Sequence, residues 1–237
     1  LELGLLTSSG WNAGGPWATP EFAGKNAYFT AVVIEGPGKI EQTLPLPPLP
    51  PHCPVGSDGR PLYLREIAVI AVPESESKEV PDLSSVVVLS EKVKDGVLSW
   101  DAPTGRWQVM RFVCMNNGQQ LIVASPNSKG PLIDFLDPAA TKMHFQHILD
   151  RIGITPENAK EFGLAYLAVE SMELAEGIQW TDAFSADFKR WAGYDPIRYL
   201  PILAGWTIGG KDLSDRFLYD YRKAISEQLI FSHYVTA

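Results

Sequence analysis

The hydrophobic pattern changes twice along these 237 residues, and that change constrains the fold more than any other feature. Residues 1–30 start with a short apolar run and a glycine-rich loop, which predicts a strand and then a helix from Thr19, the first β/α unit. Residues 31–125 carry β-branched runs at 31–34, 67–72, 86–89 and 107–113, separated by Pro/Gly turns, which predicts an antiparallel, β-rich segment. Residues 126–237 return to helix signals. They predict helices between Asp137 and Gly153, from Thr155, over 181–191, from Asp195 and from Ser214. Among these lies an apolar strand at 164–171, which we expect to be buried on both faces.

This order of elements predicts an α/β protein: a partial (β/α)8 TIM barrel with a β-rich, sandwich-like insertion. The predicted units are a first β/α unit at 1–30, the insertion at 31–125 and further β/α units at 126–237. The residues outside the insertion are fewer than the roughly 250 of a complete barrel. We therefore expect the rest of the barrel to lie on a further segment or chain.

Charge and composition exclude several classes of protein. There are 20 Lys+Arg against 28 Asp+Glu, a net charge of −8, without a basic cluster, so we expect no nucleic-acid partner. No apolar run approaches the roughly 20 residues that span a bilayer, and the first residues lack the features of a signal peptide, so we expect no membrane partner and a mature or truncated chain. Cys53 and Cys114 are too few for a disulfide scaffold, and whether they pair stays open.

An acid-rich loop follows the apolar strand at 164–171, with Glu170, Glu173 and Glu176 in seven residues. In parallel α/β folds the ligand lies beyond the carboxyl ends of the strands, which is where this loop falls. A carboxyl group at the rim of an apolar core, near a second acid, can keep a proton at neutral pH and act as a general acid. The alternative is that these glutamates are solvated loop residues.

A second loop, after the first strand, carries Trp11, Asn12 and Trp17 among glycines. Indole rings stack on the apolar faces of sugars, and an Asn amide both donates to and accepts from hydroxyl groups. These three residues are therefore candidates for substrate binding, together with Trp180 at the end of the acid loop. The alternative is that the tryptophans fill the end of a barrel.

Two further motifs allow competing interpretations. His144 and His147 are three residues apart on a predicted helix and could reach one metal, but no third ligand with matching spacing is near, so a packed pair is the default. The proline-rich stretch at 44–54 is either a rigid connector or a polyproline ligand.

Three blocks of sequence together resemble glycoside hydrolase family 106, the α-L-rhamnosidases. They are SSGWNAGGPWATPE, the long run from VESMELAEG to YLPILAG, and LSDRFLYDYRKAISE. The resemblance implies a (β/α)8 catalytic domain with inserted β-domains, inverting hydrolysis of terminal α-L-rhamnosides in plant or bacterial polysaccharides and glycosides, and calcium at the substrate site. It also implies a periplasmic or extracellular location, which suits a polysaccharide-degrading enzyme.

The family's Asp-Ser-aromatic-Glu motif falls on residues 170–173. The resemblance makes Glu173 the candidate general acid and Glu170 its companion catalytic carboxylate. Two residues depart from the motif: Glu170 replaces Asp and Met172 replaces the aromatic residue, which puts a strict rhamnoside preference in question. Trp11, Asn12 and Trp17 match the first-loop block that lines the sugar subsite.

Inverting hydrolysis also needs a base, a second carboxylate about 6.5–9.5 Å from the acid. In the family this base lies on a later strand, and no acid after Glu173 follows a clear strand here, so we expect it on a further segment or chain. The competing hypotheses are a glycosidase of neighbouring specificity and a non-catalytic carbohydrate-binding or assembly protein.

Overall fold

A computed structural model describes residues 3–6, 11–161, 163–168, 172 and 174–237 of the chain. These residues form a mixed α/β structure. Its strands are β1 Leu3–Leu5, β2 Lys25–Thr43, β3 Leu64–Pro73, β4 Glu79–Val80, β5 Val87–Val88, β6 Val93–Lys94, β7 Val97–Asn116, β8 Leu164–Leu167, β9 Ile178–Gln179 and β10 Thr207–Ile208. Its α-helices are α1 Pro138–Ile152, α2 Phe184–Ala192, α3 Leu200–Leu203 and α4 Lys211–Leu229.

The main structural element is a curled antiparallel sheet in the order β5-β3-β7-β2-β9, with β6 paired to β7. The predicted β-branched runs at 31–34, 67–72 and 107–113 lie in β2, β3 and β7, so the antiparallel, β-rich prediction is confirmed. The sheet starts at Lys25, earlier than predicted. It also recruits β9 from the distant part of the chain that follows the acid loop.

The sheet packs against apolar residues on both of its faces, because successive side chains of a strand point in opposite directions. On β3, Ile70 and Val72 face a core that we call the helix-side core, which the aromatic residues of α2 and α4 complete. Val69 and Ala71 face a second core closed by the curled outer halves of β2 and β7. Residues 102–105 of β7 oppose only residues 36–38 of β2, which is a bulge. Because of it, the side chains of β7 that face the second core are at even positions before the bulge, such as Trp100, and at an odd position, Val109, after it.

Helix α1 begins and ends where its sequence predicts. The Asp137 side chain accepts a hydrogen bond from the backbone N–H of Ala139 at 2.8 Å, Pro138 occupies the first turn, and Gly153 ends the helix at φ 72°. The predicted helices around 181–191 and from Ser214 correspond to α2 and α4, although α2 starts later and α4 earlier than expected.

Two predicted helices are wrong. The one expected from Thr19 is a turn, in which the Thr19 carbonyl accepts from the backbone N–H groups of Phe22 and Ala23 before the chain enters β2. The one expected at Thr155 and Pro156 is also a series of turns, ending before β8. Both stretches carry helix-start residues, but a strand follows within ten residues. In so short a segment, too few helical hydrogen bonds form to offset the unfavourable free energy of helix nucleation.

Strands β1 and β8 form a separate parallel pair, with Leu3 opposite Leu164 and Leu5 opposite Leu167. The parallel pairing agrees with the α/β expectation, but β8 is not buried on both faces as predicted: Tyr166 is 58% exposed. The reason is that the described part of this sheet has two strands and no packed layer over β8. The partial (β/α)8 barrel therefore stays a prediction.

Three smaller points complete the fold. Residues 44–50 follow β2 without regular structure, and the Leu44 carbonyl accepts a hydrogen bond from Arg111 at 2.6 Å, which fits a connector held to the sheet. Cys53 and Cys114 are both free thiols. Among the described residues, no helix combines the length and the apolar character needed to cross a bilayer.

Candidate functional site

The two strands that precede the loops predicted to bind substrate end at the same edge of their sheet. Strands β1 and β8 run parallel, so their carboxyl ends face the same way, and the aromatic loop follows β1 as the acid loop follows β8. Glu170 and Glu173 lie outside the described residues. Of the motif at 170–173, only Met172 is described, and it packs with Leu174 against an apolar cluster that includes Ala13 and Leu132.

The structure places the two tryptophans of the aromatic loop differently. Trp11 is 47% exposed. Trp17 instead packs on α1: its indole stacks on His147 with ring centroids 4.2 Å apart, and its N–H donates to Nδ1 of His144 at 3.3 Å. The Asn12 amide donates to the backbone carbonyl of Leu6, which ties the loop back to the end of β1. Trp11 is therefore better placed than Trp17 to offer a ring face to a ligand.

The two histidines of α1 surround Trp17. His144 is fully buried, and its Nδ1 accepts the indole N–H, so this nitrogen carries no proton in that contact. Within the described residues, no three His, Cys, Asp or Glu side chains gather as a metal-binding group. The geometry favours a packed histidine pair that supports the aromatic loop.

Trp180 is part of the helix-side core. Its side chain is 2% exposed and packs against Phe184, with ring centroids 4.8 Å apart. This placement favours a packing role over the substrate contact expected from the sequence.

The segment that leaves the acid loop, residues 174–181, is held firmly; we call it the return segment. Its β9 residues pair with β2, where Gln179 lies opposite Asn26. The Asn26 amide donates to the carbonyl of Glu176 at 2.7 Å, and the Tyr221 hydroxyl of α4 donates to the carbonyl of Gln179 at 2.9 Å. The return segment is thus tied to both the sheet and a helix.

A buried ion pair lies at the end of the return segment. Nζ of Lys25 is 3.0 Å from Oδ2 of Asp134, and the Thr181 hydroxyl donates to the same oxygen at 2.8 Å. Lys25 also donates to the carbonyl of Glu21 at 2.7 Å, and the backbone N–H of Leu136 donates to Asp134 at 3.0 Å. All of these charges are therefore matched by short contacts.

The pKa values of this pair reflect opposing influences. Burial lowers the pKa of Lys25, but the Asp134 carboxylate outweighs burial and raises this pKa above its ordinary value. Burial raises the pKa of Asp134, and Lys25 and the Thr181 hydroxyl oppose that rise. Oδ2 of Asp134 accepts from two donors at once, a geometry that fits a carboxylate.

The sequence did not single out Lys25, Asn26 or Asp134. One signal was present: Asp134 interrupts the apolar run PLIDFL, and a lone charge in such a run indicates a buried, paired group. No comparable signal marks Asn26, because its role depends on β9, a strand more than 150 residues later in the chain.

Comparison with protein families gives a match over three quarters of the chain. The family model of glycoside hydrolase 106, described as alpha-L-rhamnosidase, matches residues 61–237. The rhamnosidase from Novosphingobium sp. PP1Y has a similar fold, with a TM-score of 0.74 and 20% sequence identity over 100% of this chain and 37% of that one.

A curated relative carries the name of a different glycosidase. A protein of Formosa agariphila named "Putative beta-glucuronidase" is 24% identical over 273 aligned positions, which cover 99% of this chain and 22% of the relative. The chain thus spans about a fifth of that relative and little more than a third of the rhamnosidase.

Proposed function

Because this chain belongs to the glycoside hydrolase 106 family, we propose that it is part of a glycosidase that removes terminal α-L-rhamnosyl residues. The observation that carries the proposal is the family match over 61–237, which includes the acid loop. The parallel pairing of β1 with β8 supports it, since the acid loop and the aromatic loop leave the same edge of this pair.

In this proposal Glu173 protonates the glycosidic oxygen as the leaving group departs. Glu170, three residues earlier, is the companion carboxylate, and its negative charge helps Glu173 keep its proton. Trp11 stacks on the sugar, Asn12 contacts its hydroxyls, and Trp17 supports the loop from α1. Water attacks the opposite face of the sugar and inverts the anomeric centre, activated by a carboxylate on a further segment or chain.

Glu173→Gln in the full natural chain tests the assignment of the acid. We expect kcat for a rhamnoside with a poor leaving group to fall by about 10²-fold or more, because protonation of the leaving oxygen is lost. An aryl rhamnoside with an acidic phenol needs little protonation and should lose much less. The matched control is Glu161→Gln, an exposed glutamate at the amino end of β8. Wild-type rates for E173Q on both substrates would contradict the assignment.

The substrate and the stereochemistry need separate measurements. The name of the Formosa relative favours a second candidate, a glycosidase acting on uronides. Parallel assays with aryl α-L-rhamnosides and aryl β-D-glucuronides distinguish the two, and NMR of the first-formed product anomer tests inversion. Rhamnose binding measured by calorimetry, with no turnover of either substrate, would favour a carbohydrate-binding protein instead.

Calcium remains a proposal that rests on the family resemblance. Calcium prefers several oxygen ligands, but the described residues bring no three acidic or histidine side chains together, so these side chains alone do not form its site. No step of the proposed mechanism depends on the ion. We expect a chelator to lower both the activity and the thermal stability of the full chain, and added calcium to restore both; unchanged values would overturn the proposal.

The remaining expectations also stay proposals. We propose that the enzyme is periplasmic or extracellular, and that residues 1–30, 31–125 and 126–237 correspond to barrel, insertion and barrel. The sheet and helices α2 and α4 share one core, so the last two segments would fold together although one is the insertion and the other belongs to the barrel.

A further inference from the structure

Two consecutive residues of β2 hold the return segment from opposite faces of the strand. Lys25 reaches it indirectly, through Asp134 and the Thr181 hydroxyl. Asn26 points to the other face, as expected for neighbours in a strand, and donates directly to the carbonyl of Glu176. Of these ties, the one made by Asn26 is closer along the chain to Glu173, three residues before Glu176.

The Asn26 side chain has the properties of a fixed anchor. It is fully buried, and while its amide donates to Glu176, its Oδ1 accepts a hydrogen bond from the amide of Asn117 at 3.4 Å, which defines its orientation. Gly177 makes the close approach feasible: its φ is +108°, and an added Cβ would lie 3.1 Å from Nδ2 of Asn26.

We propose that Asn26 is a positioning residue for the acid loop, setting where the Glu173 carboxyl stands relative to the glycosidic oxygen. This inference rests on the proposed function, in which Glu173 is the general acid. Leu174 and Ala175 line the same cavity of about 10 Å³ as Lys25 and Asp134, so the start of the return segment lies beside the buried ion pair. Removing the Asn26 amide removes the side-chain hydrogen bond from β2 that is nearest along the chain to Glu173.

The test compares two buried amides in the full natural chain. Asn26→Ala removes the donor to Glu176, and Gln228→Ala removes a buried amide of α4 that donates to the carbonyl of Leu136, also at 2.7 Å. Hydrogen exchange of residues 174–179 reports the anchoring itself. The ratio of kcat on poor and good leaving groups reports the positioning, because a misplaced acid slows only the reaction that needs its proton.

We expect N26A to speed exchange at 174–179 and to lower kcat on the poor leaving group about 10- to 100-fold, with KM and the activated substrate changed less than about threefold. The fall of kcat at alkaline pH, where the acid deprotonates, should also be less steep in N26A than in the wild type. Q228A should leave the exchange, the leaving-group ratio and the pH profile as in the wild type. Asn26→Asp, which keeps the volume but loses the amide donors, repeats the test if N26A does not fold.

Three different results would contradict the anchoring, the positioning role and the acid assignment, respectively. Unchanged exchange in the N26A or N26D protein overturns the anchoring, whatever the activity shows. Faster exchange with equal losses on both leaving groups overturns the positioning role and leaves a structural one. Wild-type leaving-group dependence in E173Q contradicts the acid role of Glu173 in the proposed function, and with it the positioning of Glu173 by Asn26.

Discussion

The antiparallel sheet and the β1–β8 pair bury their apolar residues to very different extents. The sheet has a core on each face, one closed by α2 and α4 and the other by the curled strands themselves. The pair has two described strands, and in β8 Tyr166 and Leu167 remain exposed. Burial of apolar surface is the main stabilising contribution in a folded chain, so the sheet and its helices dominate the stability.

The regions that contribute most to stability are therefore not the ones from which the proposed substrate loops start. The loops proposed to bind and cleave substrate start at the weakly buried β1–β8 pair, whereas the anchors of the acid loop come from β2, α4 and Asp134. The acid loop is therefore bordered by an exposed strand on one side and by a rigid return segment on the other. Positional precision at Glu173 would come from the return side.

The largest expected effect is the loss of stability when a large side chain is removed from the core of the sheet, and this loss directly tests the difference in burial between the two regions. Phe217→Ala empties a fully buried site between the sheet and its helices, and we expect a loss of about 3–5 kcal/mol in the free energy of unfolding. Tyr166→Ala, in the exposed β8, should change it by less than about 0.5 kcal/mol. Urea unfolding of the two variants measures both values. Equal losses would show that β8 is as strongly packed as the sheet.

Local sequence signals predicted helix α1 and the long strands of the sheet. Asp137, Pro138 and Gly153 define α1 because capping depends on a few neighbouring residues. The β-branched runs predicted the long strands because alternation is also a local property. The helix expected from Thr19 failed because its start signal equally fits a turn, and the pairing of β2 with β7 and β9 favours a strand directly after that turn.

Contacts between residues distant in sequence could not be predicted, because the usable signals are local. Asp134, Lys25 and Thr181 are far apart in sequence, and each has an ordinary surface interpretation when considered alone. The burial of Trp180 is similar: an aromatic residue after an acid loop suits a sugar site, and only the packing of α2 shows that it belongs to the core. The parallel pairing of β1 with β8, the strands that precede the two candidate loops, in contrast agrees with the expectation from the sequence.

The smallest expected effects concern two hydroxyl groups whose hydrogen bonds join the return segment to Asp134 and to α4. Thr181→Val keeps the side-chain shape but removes the donor to Asp134, and we expect a loss of about 1.5–3 kcal/mol because the acceptor is charged. Tyr221→Phe removes the donor to the neutral Gln179 carbonyl and should cost about 0.5–1.5 kcal/mol. Chemical denaturation at neutral pH compares the two variants.

The pH dependence of the Thr181→Val loss identifies its cause. The Thr181 hydroxyl lowers the pKa of Asp134 against the effect of burial, so the variant has a higher folded-state pKa at this carboxyl than the wild type. The extra loss of stability is then complete above both folded-state pKa values and shrinks as the pH falls through them. Tyr221→Phe has no carboxylate acceptor and should show a loss independent of pH in the acidic range. A Thr181→Val loss that stays constant down to about pH 4 would mean that the hydroxyl does not act through the charge of Asp134.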